Sequence, residues 1–287
     1  MQECRREEIV TTGFANIKGQ DDAVRILTQW VERQQVPTCT IFAGPDGVGK
    51  GFTAEIFARI LSCENRNACG MCEACLANRF GEGLLRIEID EIFSEKNLSN
   101  KTAALKERLS VADRRRVVPY FVVILSRAER MNPSMQAALL KRVEEPPPGV
   151  HFILLASSPE ALLPTIRSRS HVVRFAPLST EVIAEILEVT KGSTEYRLLK
   201  SADGSLSRAR NLLKKYGTGE KIEEEFWKWG TKRGGKRAEL QEFLEDAIPV
   251  LAQLHPSWKE PLLDFARAVD SNANVPLSFS VLKDRIG

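Results

Sequence analysis

No apolar run in this 287-residue chain approaches the roughly 18 residues that a membrane-spanning helix needs. The stretch MQECRREEIV at the amino terminus lacks the apolar centre of a secretory signal. Both absences lead to the expectation of a cytoplasmic protein. A strong charge bias is missing as well: 41 Lys and Arg against 38 Asp and Glu leave +3, too little to argue for nucleic acid by itself. Histidine is scarce. His151, His171 and His255 are scattered and form no catalytic or metal-binding pattern. There is no internal repeat and no long low-complexity segment, which excludes solenoid architectures. Outside one segment cysteine is nearly absent too, with only Cys4 and Cys39 standing apart.

What remains is ordinary globular material, 43% hydrophobic and 28% charged. The length calls for two or three domains. Up to about residue 175, short apolar runs alternate with amphipathic stretches, the pattern of a parallel sheet with helices on both faces. Strands are expected at Cys39 to Ala43, Leu85 to Ile89, Tyr120 to Leu125, Phe152 to Ala156 and Val172 to Phe175. Helices are expected over Asp21 to Gln34, Lys50 to Leu61 and Pro133 to Glu145, the last capped by Asn132 with Pro133 in its first position. After Ala176-Pro177 the strand pattern stops. Helices then follow at Thr180 to Val189 and Ser205 to Tyr216. The segment KYGTGEK reads as a linker, and four further helices are expected from Ile222 to Ile286.

The stretch GPDGVGKGFT, residues 44 to 53, nearly completes the phosphate-binding pattern G-x-x-x-x-G-K-[ST]. Gly44, Gly47 and Gly49 let backbone N–H groups curl round a phosphate at a helix N-terminus, and Lys50 would reach its outer oxygens. Gly51, however, stands where a hydroxyl should hold Mg²⁺. Thr53, two residues on, points elsewhere on the helix. The strand PYFVVIL ends in Ser126-Arg127 rather than the Asp-Glu that a nucleotide hydrolase uses for metal and water. Glu129 comes three residues late, on a loop expected to face away. Two readings of the loop stay open: phosphate binding, or glycines kept only for a tight strand-to-helix turn. Efficient hydrolysis is not expected.

Four cysteines crowd into CENRNACGMCEAC. Cys63, Cys69, Cys72 and Cys75 offer four thiolates with no open coordination position, which favours a structural Zn²⁺ site. A redox pair, an iron–sulfur cluster and free buried thiols are the rival readings.

Taken in order, GQDDAV, the incomplete phosphate loop, the four-cysteine insertion, ALLKRVEEPPPGVHFILLASSPEALLPTIRSRS and GSLSRARNLL resemble the clamp-loader branch of the AAA+ proteins. Within it they are most similar to the delta-prime subunits of bacterial DNA polymerase III. The resemblance covers roughly residues 14 to 215. It implies an AAA+ P-loop-type α/β domain over 1–176, with a zinc module at 63–75. A small helical lid domain would follow over 177–217, and a C-terminal all-α collar over 218–287. It implies gamma/tau and delta subunits as partners in a hetero-oligomeric ring that places a sliding clamp on primer–template DNA at the expense of ATP. In that scheme this chain is a stator that does not hydrolyse ATP, and its own ATP or ADP binding is doubtful. Arg169, in the loop Ile166-Arg167-Ser168-Arg169-Ser170, matches the arginine that enters a neighbour's ATP site, a contribution worth about 10³ to 10⁵ in rate in well-studied enzymes. Ser207 stands where motor subunits place an arginine, with Arg208 one residue later. An independent gamma/tau-like ATPase and a standalone zinc-containing DNA-binding module are the competing functions. Arg114-Arg115-Arg116 could touch DNA phosphates or be a solvated charge run. Phe243, Trp258 and Phe265 could belong to a collar surface or to internal core.

Overall fold

Strands of unbroken apolar residues form the centre of a five-stranded sheet. β1 (Cys39–Ala43), β3 (Phe121–Ser126) and β4 (Val150–Ala156) are buried along their whole length, as strands covered on both faces must be. β2 (Leu84–Glu88) and β5 (His171–Arg174) close the edges. All pairings are parallel and the spatial order is β2-β3-β4-β1-β5. β1 therefore lies between β4 and β5, with Ala43 opposite both Ala156 and Arg174. The computed structural model describes residues 13–79, 83–94, 101–113, 120–217, 220–231, 237–271 and 274–286. The run Arg114–Arg116 lies outside them, as does part of the KYGTGEK stretch.

Neighbouring residues on each strand point to opposite faces, and two separate cores result. Ile41, Val123, Leu125 and Leu154 pack on one face with Leu105 and Leu109 of α5 (Lys101–Ser110) and Met135 and Leu139 of α6 (Pro133–Glu144). Phe42, Ile124, Ile153 and Leu155 pack on the other. There they meet Leu27 and Val31 of α1 (Asp21–Glu32) and Phe57 and Leu61 of α2 (Lys50–Ser62). The Asn132 side chain accepts from the Met135 N–H at 2.8 Å and starts α6, with Pro133 at a position where its missing N–H costs nothing. Three shorter helices belong to this unit: α3 (Glu73–Arg79), α4 (Ile89–Ser94) and α7 (Pro164–Arg167). This is a parallel α/β domain, with a four-cysteine insertion after α2.

The chain divides into two compact units, residues 1–177 and 178–287. Among its described residues the second is all helical: α8 (Thr180–Ile186), α9 (Thr194–Lys200), α10 (Leu206–Tyr216), α11 (Glu220–Thr231), α12 (Arg237–Leu254), α13 (Lys259–Asp270) and α14 (Val275–Ile286). Serines 179, 193 and 205 cap α8, α9 and α10 with their hydroxyl oxygens. A single buried cluster runs from Leu178 to Leu282, so the helices on either side of residue 217 share one core. Phe243 and Phe265 are buried in it and Trp258 packs against it. Phe226 is at its centre, with ring centroids 5.8 Å from Phe265 and 5.2 Å from Phe279. Among the described residues no helix is long and apolar enough to cross a membrane.

Candidate nucleotide loop, arginine loop and metal centre

The turn from β1 into α2 brings Gly44, Gly47 and Gly49 together, with φ of 157°, 78° and 99°. The need for glycine differs between them. A Cβ on Gly44 would stand 2.3 Å from the Phe175 carbonyl oxygen, so this glycine lets the loop pass the end of β5. A Cβ on Gly49 would meet nothing within 4 Å, and there the left-handed backbone alone favours glycine. Lys50 is 8% exposed and folds back on its own loop. Its Nζ donates to the Gly44 and Pro45 carbonyls at 2.5 and 2.6 Å and lies 3.6 Å from Asp46 Oδ1. Burial lowers the Lys50 pKa, and the charges of Asp46 and Glu129 oppose that shift.

The charge of Glu129 is the smallest of the effects that raise the Lys50 pKa. Arg127 takes a left-handed conformation, φ 53°, and turns the chain into the short 3-10 segment Ala128–Arg130. One Glu129 carboxylate oxygen is buried there without a hydrogen-bond partner among the described residues.

The two positions that would hold a metal carry other chemistry. Gly51 offers no hydroxyl, and Thr53 is fully buried in the core face of α2. Ser126 ends β3, and its Oγ donates to Glu88 Oε1 at 2.9 Å. Arg127 is ion-paired, its guanidinium 3.3 Å from Asp90 Oδ2 and 4.0 Å from Asp46 Oδ2. A cation thus occupies the position at which a hydrolase keeps a carboxylate for water. The residues present do not fit a magnesium–nucleotide complex. Sequence reasoning missed Arg86, whose Nε meets Glu88 Oε1 and whose Nη1 meets Glu55 Oε1, both at 2.5 Å. Only the sheet order, which sets β2 beside β3, brings Glu88 to Ser126.

Arg169 lies just beyond α7, in the same unit as the phosphate loop. Its Nε lies 3.0 Å from Glu144 Oε1, and its Nη1 donates to the Thr165 carbonyl at 3.2 Å and to Ser168 Oγ at 3.3 Å. The side chain is 45% exposed. Ser170 anchors the loop, its Oγ 2.7 Å from the Ile166 carbonyl oxygen and 3.2 Å from Cys39 Sγ, with one hydroxyl proton to share between them. Burial pushes the Cys39 thiol up to about 11, an effect that the Ser170 hydroxyl moderates. Arg167 is half-buried, and its Nε has no hydrogen-bond partner among the described residues. In the helical unit, Arg208 bonds Asp203 at 2.9 Å, and Ser207 is exposed.

Cys63, Cys69, Cys72 and Cys75 converge, with all four sulfurs within 4.8 Å of one another. Sγ–Sγ separations are 3.7 Å for 63–69, 3.9 Å for 63–72 and 3.9 Å for 69–75. Four thiolates around a tetrahedral ion at about 2.3 Å stand about 3.8 Å apart, so this set could hold a metal ion. Gly70, φ 74°, makes the turn between the second and third sulfurs. The backbone N–H groups of Cys72 and Cys75 point at the Cys69 and Cys72 sulfurs, each at 3.4 Å. Backbone N–H groups of Met71 and Cys72 bring the Cys69 thiol down to about 6, while burial pushes Cys75 up to about 12.

A family model described as DNA polymerase III, delta subunit, matches residues 19–179. Among curated relatives, the DNA polymerase III subunit gamma/tau of Mycobacterium tuberculosis is 33% identical over 179 residues, covering 61% of this chain and 30% of the relative. The DNA polymerase III subunit tau of Bacillus subtilis is 29% identical over 212 residues, covering 70% of this chain and 37% of the relative. The chain thus spans about a third of the length of these relatives. Among solved structures, the RuvB Holliday junction branch migration motor of Thermotoga maritima is 14% identical, with a TM-score of 0.47 over 83% of this chain and 70% of that one. The family match runs over the parallel-sheet unit from the start of α1 to the end of β5, and the chain belongs to the DNA polymerase III, delta subunit, family.

Proposed function

We propose that this chain is a delta-prime-type subunit of a clamp loader: a stator that does not hydrolyse ATP and completes the site of a neighbouring ATPase subunit. The observation that carries this reading is the replacement of both metal positions, Gly51 and Ser126, together with Arg127 ion-paired to Asp46 and Asp90. Such a loop keeps the backbone geometry of a phosphate cradle and lacks the groups that hold metal and orient water. The partners in this reading are gamma/tau and delta subunits, and through the complex a sliding clamp and primer–template DNA, in the cytoplasm.

Arg169 is the residue we assign to the neighbour's site. It projects from a loop fixed by Ser170 and is half exposed. Its planar fork suits phosphate oxygens, and an arginine at a transferring phosphoryl group stabilises the charge that spreads over it. We assign residues 177–217 as the lid and 218–287 as the collar. Leu263, Leu277 and Val281 leave apolar surface on α13 and α14, which supports contact with sister subunits in a ring. Zinc is the metal we assign to Cys63, Cys69, Cys72 and Cys75. Four sulfurs without an open position give it a structural role.

The alternative is a gamma/tau-like motor, which the names of the curated relatives favour. ATPase assays of the isolated chain and of the chain reconstituted with gamma/tau and delta separate the two. The stator reading predicts no turnover alone and a clamp-stimulated rate only in the complex. Magnesium-dependent turnover by the isolated chain, abolished by Lys50→Ala, would establish the motor.

A further inference from the structure

We propose that Arg86 is a resident cation that fills the metal position of this phosphate loop. The inference deepens the stator reading and rests on it, but it concerns the isolated chain and needs no partner. It starts from the disagreement between the loop and a magnesium–nucleotide complex. In a hydrolase of this fold the metal lies between the hydroxyl after the loop lysine and a carboxylate at the end of the neighbouring strand. Here those positions are Gly51 and Ser126. A Cβ built on Gly51 would stand 3.6 Å from Arg86 Nη2 and 3.7 Å from Nη1, with the Leu155 side chain as its other neighbour. A hydroxyl on that carbon would hold Mg²⁺ at about 2 Å from its oxygen. The guanidinium therefore lies in the volume that the metal would claim. The second position is tied to the same group: Ser126 Oγ donates to Glu88 Oε1 at 2.9 Å, and that oxygen also accepts from Arg86 Nε. Glu55, one helical turn beyond Gly51 on α2, holds the remaining side of the fork through Nη1.

The two vacated metal positions are thus joined by one cation and its carboxylates. An arginine stays charged at every accessible pH, so the positive charge is permanent and cannot be exchanged as a metal ion can. Two consequences follow. Restoring the missing ligands is not enough to recover metal binding, because the space and the charge are already taken. Any phosphate that the loop accepts binds without a divalent cation.

The test measures Mn²⁺ binding by electron paramagnetic resonance, with ATP present, on four folded proteins checked by circular dichroism. These are the wild type, Arg86→Ala, Gly51→Thr/Ser126→Asp, and the triple variant that joins all three changes. The expected result is weak binding by the first three and at least ten-fold tighter binding by the triple variant. Equal affinity for the double and triple variants, at either strength, would overturn the proposal. So would Arg86→Ala alone matching the triple variant, since the metal would then be held by Glu55 and Glu88 rather than at the restored position. The stator reading fails on a different observation, turnover by the wild-type chain, so the two failures are distinct.

Discussion

Arg169 and Glu144 form an ion pair at 3.0 Å across the two motifs that end α6 and α7. Glu144 is the first acidic residue of the Glu-Glu-Pro-Pro stretch, and both side chains are more than 40% exposed. An exposed pair of this kind contributes about 0 to 1 kcal/mol. It aligns the guanidinium at little cost and releases it readily to a more highly charged phosphate.

Glu144→Gln should therefore leave the fold intact and change unfolding free energy by less than about 1 kcal/mol, measured by urea denaturation. If Arg169 works on a neighbour's phosphate, the same variant should still assemble with gamma/tau and delta and retain most of the complex's ATPase rate.

The glycine loop carries a structural demand that is separate from any ligand. Gly44→Ala drives a Cβ to 2.3 Å from the Phe175 carbonyl oxygen and should destabilise the sheet domain by a few kcal/mol, as overpacking does. Gly51→Ala meets only ordinary contacts at 3.6 Å and beyond, and should be neutral or stabilising by up to about 1 kcal/mol. Thermal unfolding of the two variants checks the contrast. Similar stability losses in both would contradict the local geometry described for the loop.

Much of this organisation is legible in the residues. The apolar runs mark the five strands within two residues at each end; for β1, β3 and β4 the cause is burial on both faces, which needs a continuous apolar stretch. Asn132-Pro133 announces α6, since cap and first-turn chemistry are local. The cysteine spacing brings four sulfurs together for the same reason: the contacts span few residues. Other features escape. α5, KTAALKERLS, is short, carries four charged residues in ten, and buries only Leu105 and Leu109 among its large apolar side chains. α9 is seven residues long, hidden in a polar stretch, and starts at the Ser193 cap. Glu129 sits in a 3-10 segment that follows a left-handed Arg127, a backbone turn that no residue pattern signals. Glu88 meets Ser126 only once β2 is placed beside β3, a choice of sheet order that lies beyond local pattern.

Purified protein should contain about one zinc per chain, by elemental analysis, bound by Cys63, Cys69, Cys72 and Cys75. Cys72→Ser should lower metal content and loosen the 63–75 segment, seen as faster local hydrogen exchange. Chelation should do the same, while the strands β1, β3 and β4 keep their protection. Iron with visible charge-transfer bands, or a metal-free protein after zinc-replete expression, would contradict the zinc assignment.

The most direct measurement of the central claim is the steady-state ATPase rate of the complex reconstituted with gamma/tau and delta, stimulated by clamp and primed DNA. It compares wild-type chain with Arg169→Ala, Arg169→Lys and Arg167→Ala. Because Arg169 is exposed and fills no core space, its removal should leave folding and assembly unchanged. The account predicts a partial loss of rate for Arg169→Ala, confined to the site that faces this subunit. Arg169→Lys should rescue poorly because a point charge cannot replace the planar fork, and Arg167→Ala should retain the wild-type rate. Equal rates for wild type and Arg169→Ala, with assembly confirmed by gel filtration, would contradict the claim that this chain completes its neighbour's active site.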